Sequence, residues 1–229
     1  MADINGLALI EHILSRLEQI TTVNFTTTFA LAKESTNKLQ NFLRQKTIHF
    51  IEGSDSDVMS RFIEAGKDLN DHDYIVRLTA DNPFLDYECA NNLLQELHNN
   101  RADLIYPWKL PLGMAFEVIR VGALRSQSQH SLSPHHLEHV STFIKENRDK
   151  YNVQKITYYD NDSNVRLTID EPADLEQARK TYSHFLTRDK PYFTSKDVYE
   201  LHSKDPDFFN SNKEVVQRPP TSYDKKSFK

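Results

Sequence analysis

The sequence has few of the residues that mark several protein classes. Its 229 residues include a single cysteine, Cys89, so an internal disulfide is excluded, and the neighbours of Cys89 indicate a position on a helix face and not a nucleophile. No apolar run approaches the length that spans a membrane, and the first residues lack the basic and apolar regions of a signal peptide. We therefore expect a soluble, cytoplasmic protein without a membrane partner.

Glycine is also scarce. The five glycines are Gly6, Gly53, Gly66, Gly113 and Gly122. No two of them are close enough in sequence to form a backbone nest for phosphate groups. The formal net charge of -5 argues against a general nucleic-acid binder. A hydrophobic fraction of 38% and a mean hydropathy of -0.64 indicate an adequate core beneath a very polar surface. The length suits one large α/β domain, with or without an appendage.

A seven-residue pattern, Arg-Leu-Thr-x-Asp-x-Pro, occurs twice, at residues 77–83 and 166–172. In each copy the β-branched and apolar residues predict a buried strand, and the proline ends ladder pairing just after an aspartate. Asp81 and Asp170 are therefore predicted at the carboxyl ends of two strands, where open α/β sheets bind ligands. Two such carboxylates side by side would hold a divalent cation against phosphate groups.

Each aspartate also has a simpler interpretation. The sequences Asp-x-Pro and Asp-Glu-Pro are good helix starts, so either carboxylate could merely cap the helix that follows its strand. Either copy taken alone favours the cap. The occurrence of two copies, together with the family resemblance described below, favours the interpretation of both aspartates as metal ligands.

Two shorter motifs point to other chemistry. Residues 135–139 fit the H-x-x-E-H pattern of inverted zinc proteases, which we interpret as coincidence in a chain with ten histidines. Asp55 and Asp57 fit the D-x-D pattern by which metal-dependent glycosyltransferases hold a nucleotide sugar. Because a helical apolar pattern follows them directly, a helix cap is favoured over that glycosyltransferase site.

Helical and strand patterns alternate along the chain, which predicts a mostly parallel sheet covered by helices. We assign residues 1–190 to this α/β domain, 191–209 to a helical extension and 210–229 to a disordered tail. Helices are predicted at 6–20, around 39–43, after Ser54 and Asp55, and at 86–98, 133–150, 172–182 and 195–202. Strands are predicted at 25–31, 48–51, 74–78, 104–106, 116–119, 153–158 and 165–169.

Several spaced segments carry a family resemblance, and they occur in the family's order: residues 53–62, 76–86, 111–117, 137–141 and 165–176. They resemble the spore-coat polysaccharide biosynthesis cytidylyltransferase-like family, which is similar to the acylneuraminate and 3-deoxy-manno-octulosonate cytidylyltransferases. The resemblance spans most of residues 3–200 and implies a nucleotide-diphospho-sugar transferase-like, Rossmann-like fold. It also implies a reaction in which a sugar oxygen attacks the α-phosphate of CTP, releasing pyrophosphate and giving a CMP-sugar.

The resemblance implies roles for particular residues. Asp81 and Asp170 would be the catalytic carboxylates and the ligands of Mg²⁺, which neutralises phosphate charge and aligns the reacting groups. Glu117 would face the sugar, and Glu138 and His139 would lie near it. Ser141 replaces the threonine that is usual in the family's Glu-His-Val-Thr element.

Arg77 and Arg61 complete the predicted substrate-binding residues. Arg77 could contact a phosphate or a carboxylate, or form a structural ion pair with a neighbouring acid. Arg61 could reach the nucleotide or only solvent. Simpler interpretations also exist for the three residues near the sugar. Glu117 could be a solvent-facing strand residue, and Glu138 and His139 could lie on the solvent-exposed face of a helix.

The chain differs from the family pattern at the amino terminus. The family begins with a strand and a loop of the type Ala-Arg-x-x-Ser-x-Arg-Leu-Pro-Gly-Lys, which holds the triphosphate, and this chain starts at the element that follows, residues 4–10. The absent first strand would be central in the sheet, so we expect exposed pairing edges and apolar surface. Two expectations follow. Either a longer natural form of this protein is the cytidylyltransferase, or this chain is a shortened, non-catalytic relative that binds a sugar or a partner.

The resemblance also bears on assembly. Related enzymes often dimerise, which implies a homodimer. The segment Asp103 to Met114, with Pro107 and Trp108, is the predicted dimerisation arm.

Overall fold

The computed structural model describes residues 2–35, 37–97, 101–159 and 164–216, and helices alternate with strands through most of them. The first half contains β1 (Asp3–Ile4), β2 (Leu7–Ala8), α1 (Leu9–Leu17), β3 (Thr28–Ala32), α2 (Asn37–Gln45), β4 (His49–Gly53), α3 (Val58–Ala65), β5 (Tyr74–Arg77) and α4 (Tyr87–Glu96). The second half contains β6 (Leu104–Trp108), β7 (Glu117–Arg120), α5 (Val121–Gln127), α6 (Pro134–Glu138), α7 (Thr142–Glu146), β8 (Val153–Thr157), α8 (Pro172–Leu186), α9 (Ser195–Lys204) and a 3-10 helix (Pro206–Phe209).

The longer strands form two separate sheets in the described part of the chain. β3 and β4 pair in parallel, and β5, β7, β6 and β8 form a second sheet in that order. β7 runs antiparallel to both neighbours, whereas β6 and β8 are parallel. Residues 109–116 join β6 to β7, and so short a connection suits an antiparallel neighbour. The predicted α/β class is confirmed, with β7 opposed to the other three strands of its sheet.

The second copy of the repeated motif is not a ladder strand. Arg166 forms an isolated parallel bridge with Leu112, in which Leu112 N donates to Val165 O (3.0 Å) and Leu167 N donates to Leu112 O (2.7 Å). The prediction of a strand at 165–169 is therefore wrong. At Arg166 its backbone partner is a turn, in which Met114 N donates to Pro111 O (3.0 Å), and a turn cannot extend a ladder.

The predicted helix at 133–150 is broken into α6 and α7. Val140 lies between them with φ 24°, outside the helical region, although its side chain is fully buried. Val140, Phe143 and Ile144 pack in one cluster with Leu104 and Tyr151. The side chains on both sides of the break thus pack in one cluster, although the backbone turns between them.

Aspartates cap two of the helices, α3 and α4. Asp57 accepts a hydrogen bond from Ser60 N (2.8 Å) and caps α3, so the helix cap favoured for the Asp55 and Asp57 pair is confirmed at Asp57. Asp86 caps α4 by accepting from Cys89 N (2.9 Å). Cys89 lies buried on α4, as its neighbours predicted, and burial raises the pKa of its thiol.

The first part of the segment predicted to be an arm belongs to the core. β6 is an inner strand of the four-stranded sheet, and Leu104 and Ile105 are fully buried. Leu112, in the loop that follows, is 43% exposed. The dimerisation arm and the homodimer both stay predictions. No helix within the described ranges is both long and apolar enough to cross a lipid bilayer.

The carboxyl-terminal residues pack on the same core as the amino terminus. Phe193, Val198 and Phe209 share a buried cluster with Ile4 and Phe84. Asn212, which the sequence assigned to the tail, is buried and donates to Asp174 Oδ1 (2.7 Å). Residues 217–229 of the predicted tail lie outside the described residues.

Gly113 fixes the second motif copy against the turn before β7. Its φ is +96°, and a Cβ at this position would lie 2.3 Å from Thr168 N and 2.5 Å from Leu167 C. These are backbone atoms, which cannot swing aside as a flexible side chain would. Only glycine allows this crossing of two chain segments.

Gly113→Ala should therefore lower the free energy of unfolding by about 3 kcal/mol or more, since it adds overpacking to left-handed backbone strain. Gly6→Ala is the matched control, because Gly6 has a similar φ of +92° and open space around its Cβ position. Gly6→Ala should lower the free energy of unfolding by only about 1 kcal/mol. Urea unfolding followed by circular dichroism measures both values, and equal losses would contradict the crossing.

Candidate functional site

The structure brings the two copies of the repeated motif into contact. Ile169 N donates to the backbone oxygen of Asp81 (3.0 Å), and Thr168 Oγ1 lies 3.5 Å from Asp81 Oδ2. Asp81 follows the carboxyl end of β5, as the sequence predicts. Open sheets place ligands at this edge, so we take the Asp81 and Asp170 region as the candidate site.

The Asp81 carboxylate is only partly satisfied. Its Oδ1 atom is buried and has no hydrogen-bond donor among the described residues. The neighbouring Asn82 donates from Nδ2 to Thr79 Oγ1 (2.6 Å), and its Oδ1 is likewise buried without a donor. Buried oxygens without donors are costly, and a hard cation would satisfy them. Asp81 therefore fits a magnesium ligand.

Asp170 is exposed and held by an arginine. Arg166 Nη2 donates to Asp170 Oδ2 (2.6 Å), and the same guanidinium makes a two-point contact with Asp174, from Nε (2.8 Å) and Nη2 (2.9 Å). Hydrogen bonds to Asp174 raise the pKa of Arg166, so it stays charged. For Asp170 to bind a cation, its carboxylate would have to exchange this arginine for the metal.

Asp174 is a residue that the sequence analysis missed. It is buried, and its Oδ2 accepts from the backbone N–H groups of Asp170 and Glu171 (3.1 and 3.0 Å). Burial alone would raise its pKa, but the hydrogen bond from Arg166 and those from Asn212 and the backbone hold the pKa below its ordinary value. An acid at the third position of a helix that begins with Pro172 is the capping-box signal that could have identified it.

Glu117 lies at the centre of a buried ion-pair network. Arg77 Nη1 donates to Glu117 Oε2 (3.0 Å), while Ser141 Oγ (2.7 Å) and Lys145 Nζ (2.5 Å) donate to Oε1. Arg77 and Glu117 are direct partners in the β5–β7 ladder, which explains their pairing. Burial would raise the pKa of Glu117, but Lys145 and Arg77 outweigh it and lower the pKa to about 2. A solvent-facing Glu117 is thereby ruled out.

Cations and aromatic rings surround this network. Lys145 Nζ lies 4.8 Å from the centre of the Tyr106 ring, and Lys155 Nζ lies 4.1 Å from that of Trp108. Arg148 Nη2 donates to the hydroxyl of Tyr106 (3.4 Å). Burial, followed by the charges of Arg148 and Lys145, lowers the pKa of Lys155. The three cations raise the local positive potential, a condition that favours an anionic ligand.

The other predicted site residues occupy separate positions. Glu138 ends α6 and His139 follows it, and both are exposed. The His139 ring meets the His135 ring edge-on, with centroids 4.5 Å apart. Arg61 Nη1 donates to the backbone oxygen of Ala30 (2.7 Å), a contact that neither interpretation of Arg61 anticipated. The roles assigned to these residues stay predictions.

The two alternative motifs have structural uses. Asp57 of the D-x-D pattern caps α3, and Asp55 Oδ1 accepts from Glu34 N (3.4 Å). In the H-x-x-E-H pattern, His136 Nε2 is 2.8 Å from Glu146 Oε2. Across the described ranges, no three or more His, Cys, Asp or Glu side chains are grouped as a metal site.

Comparison with known proteins decides the family. The model of the cytidylyltransferase family matches residues 1–226. This chain belongs to that family. The resemblance inferred from the spaced motifs is therefore confirmed.

Relatives agree with the assignment. The chain is 27% identical over 178 residues to the spore coat polysaccharide biosynthesis protein SpsF of Bacillus subtilis, covering 76% of this chain and 73% of that protein. A solved cytidylyltransferase from Leptospira borgpetersenii superposes with a TM-score of 0.77 at 22% identity, covering 94% of this chain and 90% of that one. A CMP:2-keto-3-deoxy-manno-octonic acid synthetase in complex with CTP superposes with a TM-score of 0.59 at 15% identity. The match covers 80% of this chain and 90% of that one. The two structures show the fold alone.

The Glu117 network predicts a specific pH dependence of stability. Because the pKa of Glu117 is lowered to about 2, its stabilisation is fully present above the ordinary value near 4.5 and is lost as the pH falls from there towards 2. Glu117→Gln should lower the free energy of unfolding by about 3 kcal/mol at pH 7, with the loss shrinking across that acid range.

Urea unfolding at several pH values measures this difference. Glu64→Gln is the control, because Glu64 pairs with Lys67 on an exposed helix surface (2.9 Å) and should change stability much less. A Glu117→Gln loss that is the same at pH 3 and pH 7 would contradict the ion-pair account.

Proposed function

We propose that this chain transfers CMP from CTP to a sugar in the presence of Mg²⁺, giving a CMP-sugar and pyrophosphate. The observation that carries the proposal is the contact between the repeated motifs, in which Ile169 donates to Asp81 and places both copies at one edge. Membership of the cytidylyltransferase family supports CTP as the nucleotide.

The acidic residues at this edge suit the metal. Asp81 and Asp170 would hold Mg²⁺, which commonly takes one or two carboxylates and completes its shell with water and substrate phosphates. When bound, the ion would neutralise charge on the phosphate oxygens and help to align the attacking and leaving groups. Arg166 keeps Asp170 near the edge through its anchor on buried Asp174.

Glu117 is better suited to positioning than to proton transfer. A carboxyl group with a pKa of about 2 is a weak base at neutral pH. Its oxygens already accept from Arg77, Ser141 and Lys145. In this proposal Glu117 fixes Arg77 and Lys145 in place, so that their charges and the strand edge keep a defined arrangement around the substrate.

The cationic and aromatic cluster supports an acidic sugar as the acceptor. Lys145, Arg148 and Lys155 surround Tyr106 and Trp108 beside one carboxylate, Glu117. Positive charge favours a carboxylate on the sugar, and the aromatic faces suit its apolar side. The name of SpsF, a spore coat polysaccharide biosynthesis protein, supports a role in the biosynthesis of a surface polysaccharide or glycan.

Asp81→Asn should abolish binding of CTP with Mg²⁺ and lower pyrophosphate release by at least about 100-fold, because an amide oxygen lacks the charge that holds the ion. Calorimetry with CTP and Mg²⁺, and a pyrophosphate assay with a panel of sugar acids, measure the two effects. Asp170→Asn should also weaken CTP binding and slow pyrophosphate release.

Asp68→Asn is the matched control, because Asp68 is exposed in the loop before β5, at the opposite end of the strand from Asp81. It should leave CTP binding unchanged. A folded wild-type chain that binds no CTP would overturn the transferase proposal and favour a non-catalytic sugar-binding or partner-binding relative.

The acidic-sugar proposal has its own test. Lys155→Gln should raise the KM for a sugar acid by about tenfold and leave the KM for CTP unchanged, since it removes one cation from the cluster. Lys180→Gln is the matched control, because Lys180 also lies over an aromatic ring, 4.3 Å from the centre of Phe208. Parallel changes in both KM values, or equal effects of the two variants, would contradict a sugar-side role for Lys155.

A further inference from the structure

Asn212 lies between the second motif copy and the first turn of α8. Its side chain is buried, and its Nδ2 donates to the backbone oxygen of Arg166 (3.1 Å) and to Asp174 Oδ1 (2.7 Å). Asp174 in turn holds the side chain of Arg166. One amide group therefore ties the main chain of the motif to the carboxylate that fixes its arginine.

The two partners of Asn212 require the nitrogen end of its amide. A carbonyl oxygen and an ionised carboxylate only accept hydrogen bonds, and each hydrogen of the NH₂ group can serve one of them. The bridge to Leu112 uses the oxygen of Val165 and the nitrogen of Leu167. The oxygen of Arg166 takes no part in that bridge, and Asn212 supplies its donor. A side chain without an NH₂ group would lose both contacts.

Asp174 connects this amide to the candidate metal ligand. Its Oδ1 accepts from Asn212 Nδ2 and Arg166 Nε. Its Oδ2 accepts from Arg166 Nη2 and from the backbone N–H groups of Asp170 and Glu171. Donors on both oxygens fix the rotation of the carboxylate about its Cβ–Cγ bond. Loss of the Asn212 contact would free that rotation and weaken the hold of Asp174 on the Asp170 backbone.

The segment before Asn212 is fixed to α8 and to the core. Ser211 N donates to Gln177 Oε1 (3.2 Å), and Gln177 is fully buried on α8. Phe209 belongs to the buried cluster that contains Ala178 of the same helix. Packing against α8 therefore sets the position of the Asn212 amide.

We propose that Asn212 is a positioning residue for Mg²⁺ binding, which holds the Asp170 backbone and the Arg166 guanidinium in place through Asp174. This inference rests on the proposed function, in which Asp170 is a metal ligand. Asp170 can meet a cation only when its carboxylate leaves Arg166, and Asp174 then retains the guanidinium. Removing an outer hydrogen-bond partner of metal ligands commonly weakens metal affinity by about 10–100-fold.

Asn212→Leu tests this role, because leucine has nearly the same shape as asparagine and no donor. Calorimetry measures CTP binding by the full 229-residue chain at a series of Mg²⁺ concentrations. The Mg²⁺ concentration that gives half-maximal CTP binding should rise by about tenfold, and excess Mg²⁺ should restore binding. A loss of packing alone would not be restored in this way.

Asn210→Leu is the matched control. Asn210 belongs to the same segment, and its Nδ2 also donates to an aspartate, Asp207 Oδ1 (2.6 Å), but this contact is local. The control variant should leave the Mg²⁺ dependence unchanged. If Asn212→Leu does not fold, Asn212→Ala replaces it, because the space left by the smaller side chain admits water to Asp174.

Hydrogen exchange measures the positioning without a metal or a nucleotide. In Asn212→Leu the amides of Asp170 and Glu171 should exchange faster than in the wild-type chain, since their acceptor is Asp174 Oδ2. The amide of Ala90 in α4 is the internal reference and should be unchanged.

The outcomes separate this inference from the proposed function. A folded wild-type chain that binds no CTP at any Mg²⁺ concentration would overturn both. Wild-type binding whose Mg²⁺ dependence is unchanged in Asn212→Leu would overturn only the role of Asn212. Equal shifts in the two leucine variants, or unchanged exchange at Asp170 and Glu171, would also overturn that role.

Discussion

The candidate site depends on the close crossing of two chain segments at Gly113. Its missing side chain lets the turn before β7 lie against the backbone of Leu167 and Thr168. The bridge between Leu112 and Arg166 then continues into the hydrogen bond from Ile169 to Asp81. Without this crossing, two motif copies that are far apart in sequence would have no reason to share an edge. The arrangement of the acidic residues is thus a consequence of backbone packing.

Buried charge gives the second constraint. Around Glu117, two cations and a hydroxyl satisfy one carboxylate, and around Arg166, two aspartates satisfy one guanidinium. Each network joins an element of the sheet region to a helix, through Lys145 of α7 in the first and Asp174 of α8 in the second. Removing one member would leave an uncompensated charge, which costs far more than the pair contributes in net stability. These networks therefore fix the positions of nearby groups.

The sequence by itself determined the α/β alternation, the start of a helix near residue 133, and the family. These depend on periodicity, local hydrogen bonding and spaced motifs, which are all contained in short stretches. Only the tertiary structure decided that residues 165–169 bridge a turn instead of joining a ladder, that β6 is an inner strand, and that Arg61 reaches Ala30. It also decided that Asp81 has a buried oxygen to which no described residue donates, and that Asp170 is paired with Arg166. Such facts depend on which distant segments meet, and this is set by packing and charge balance across the whole chain.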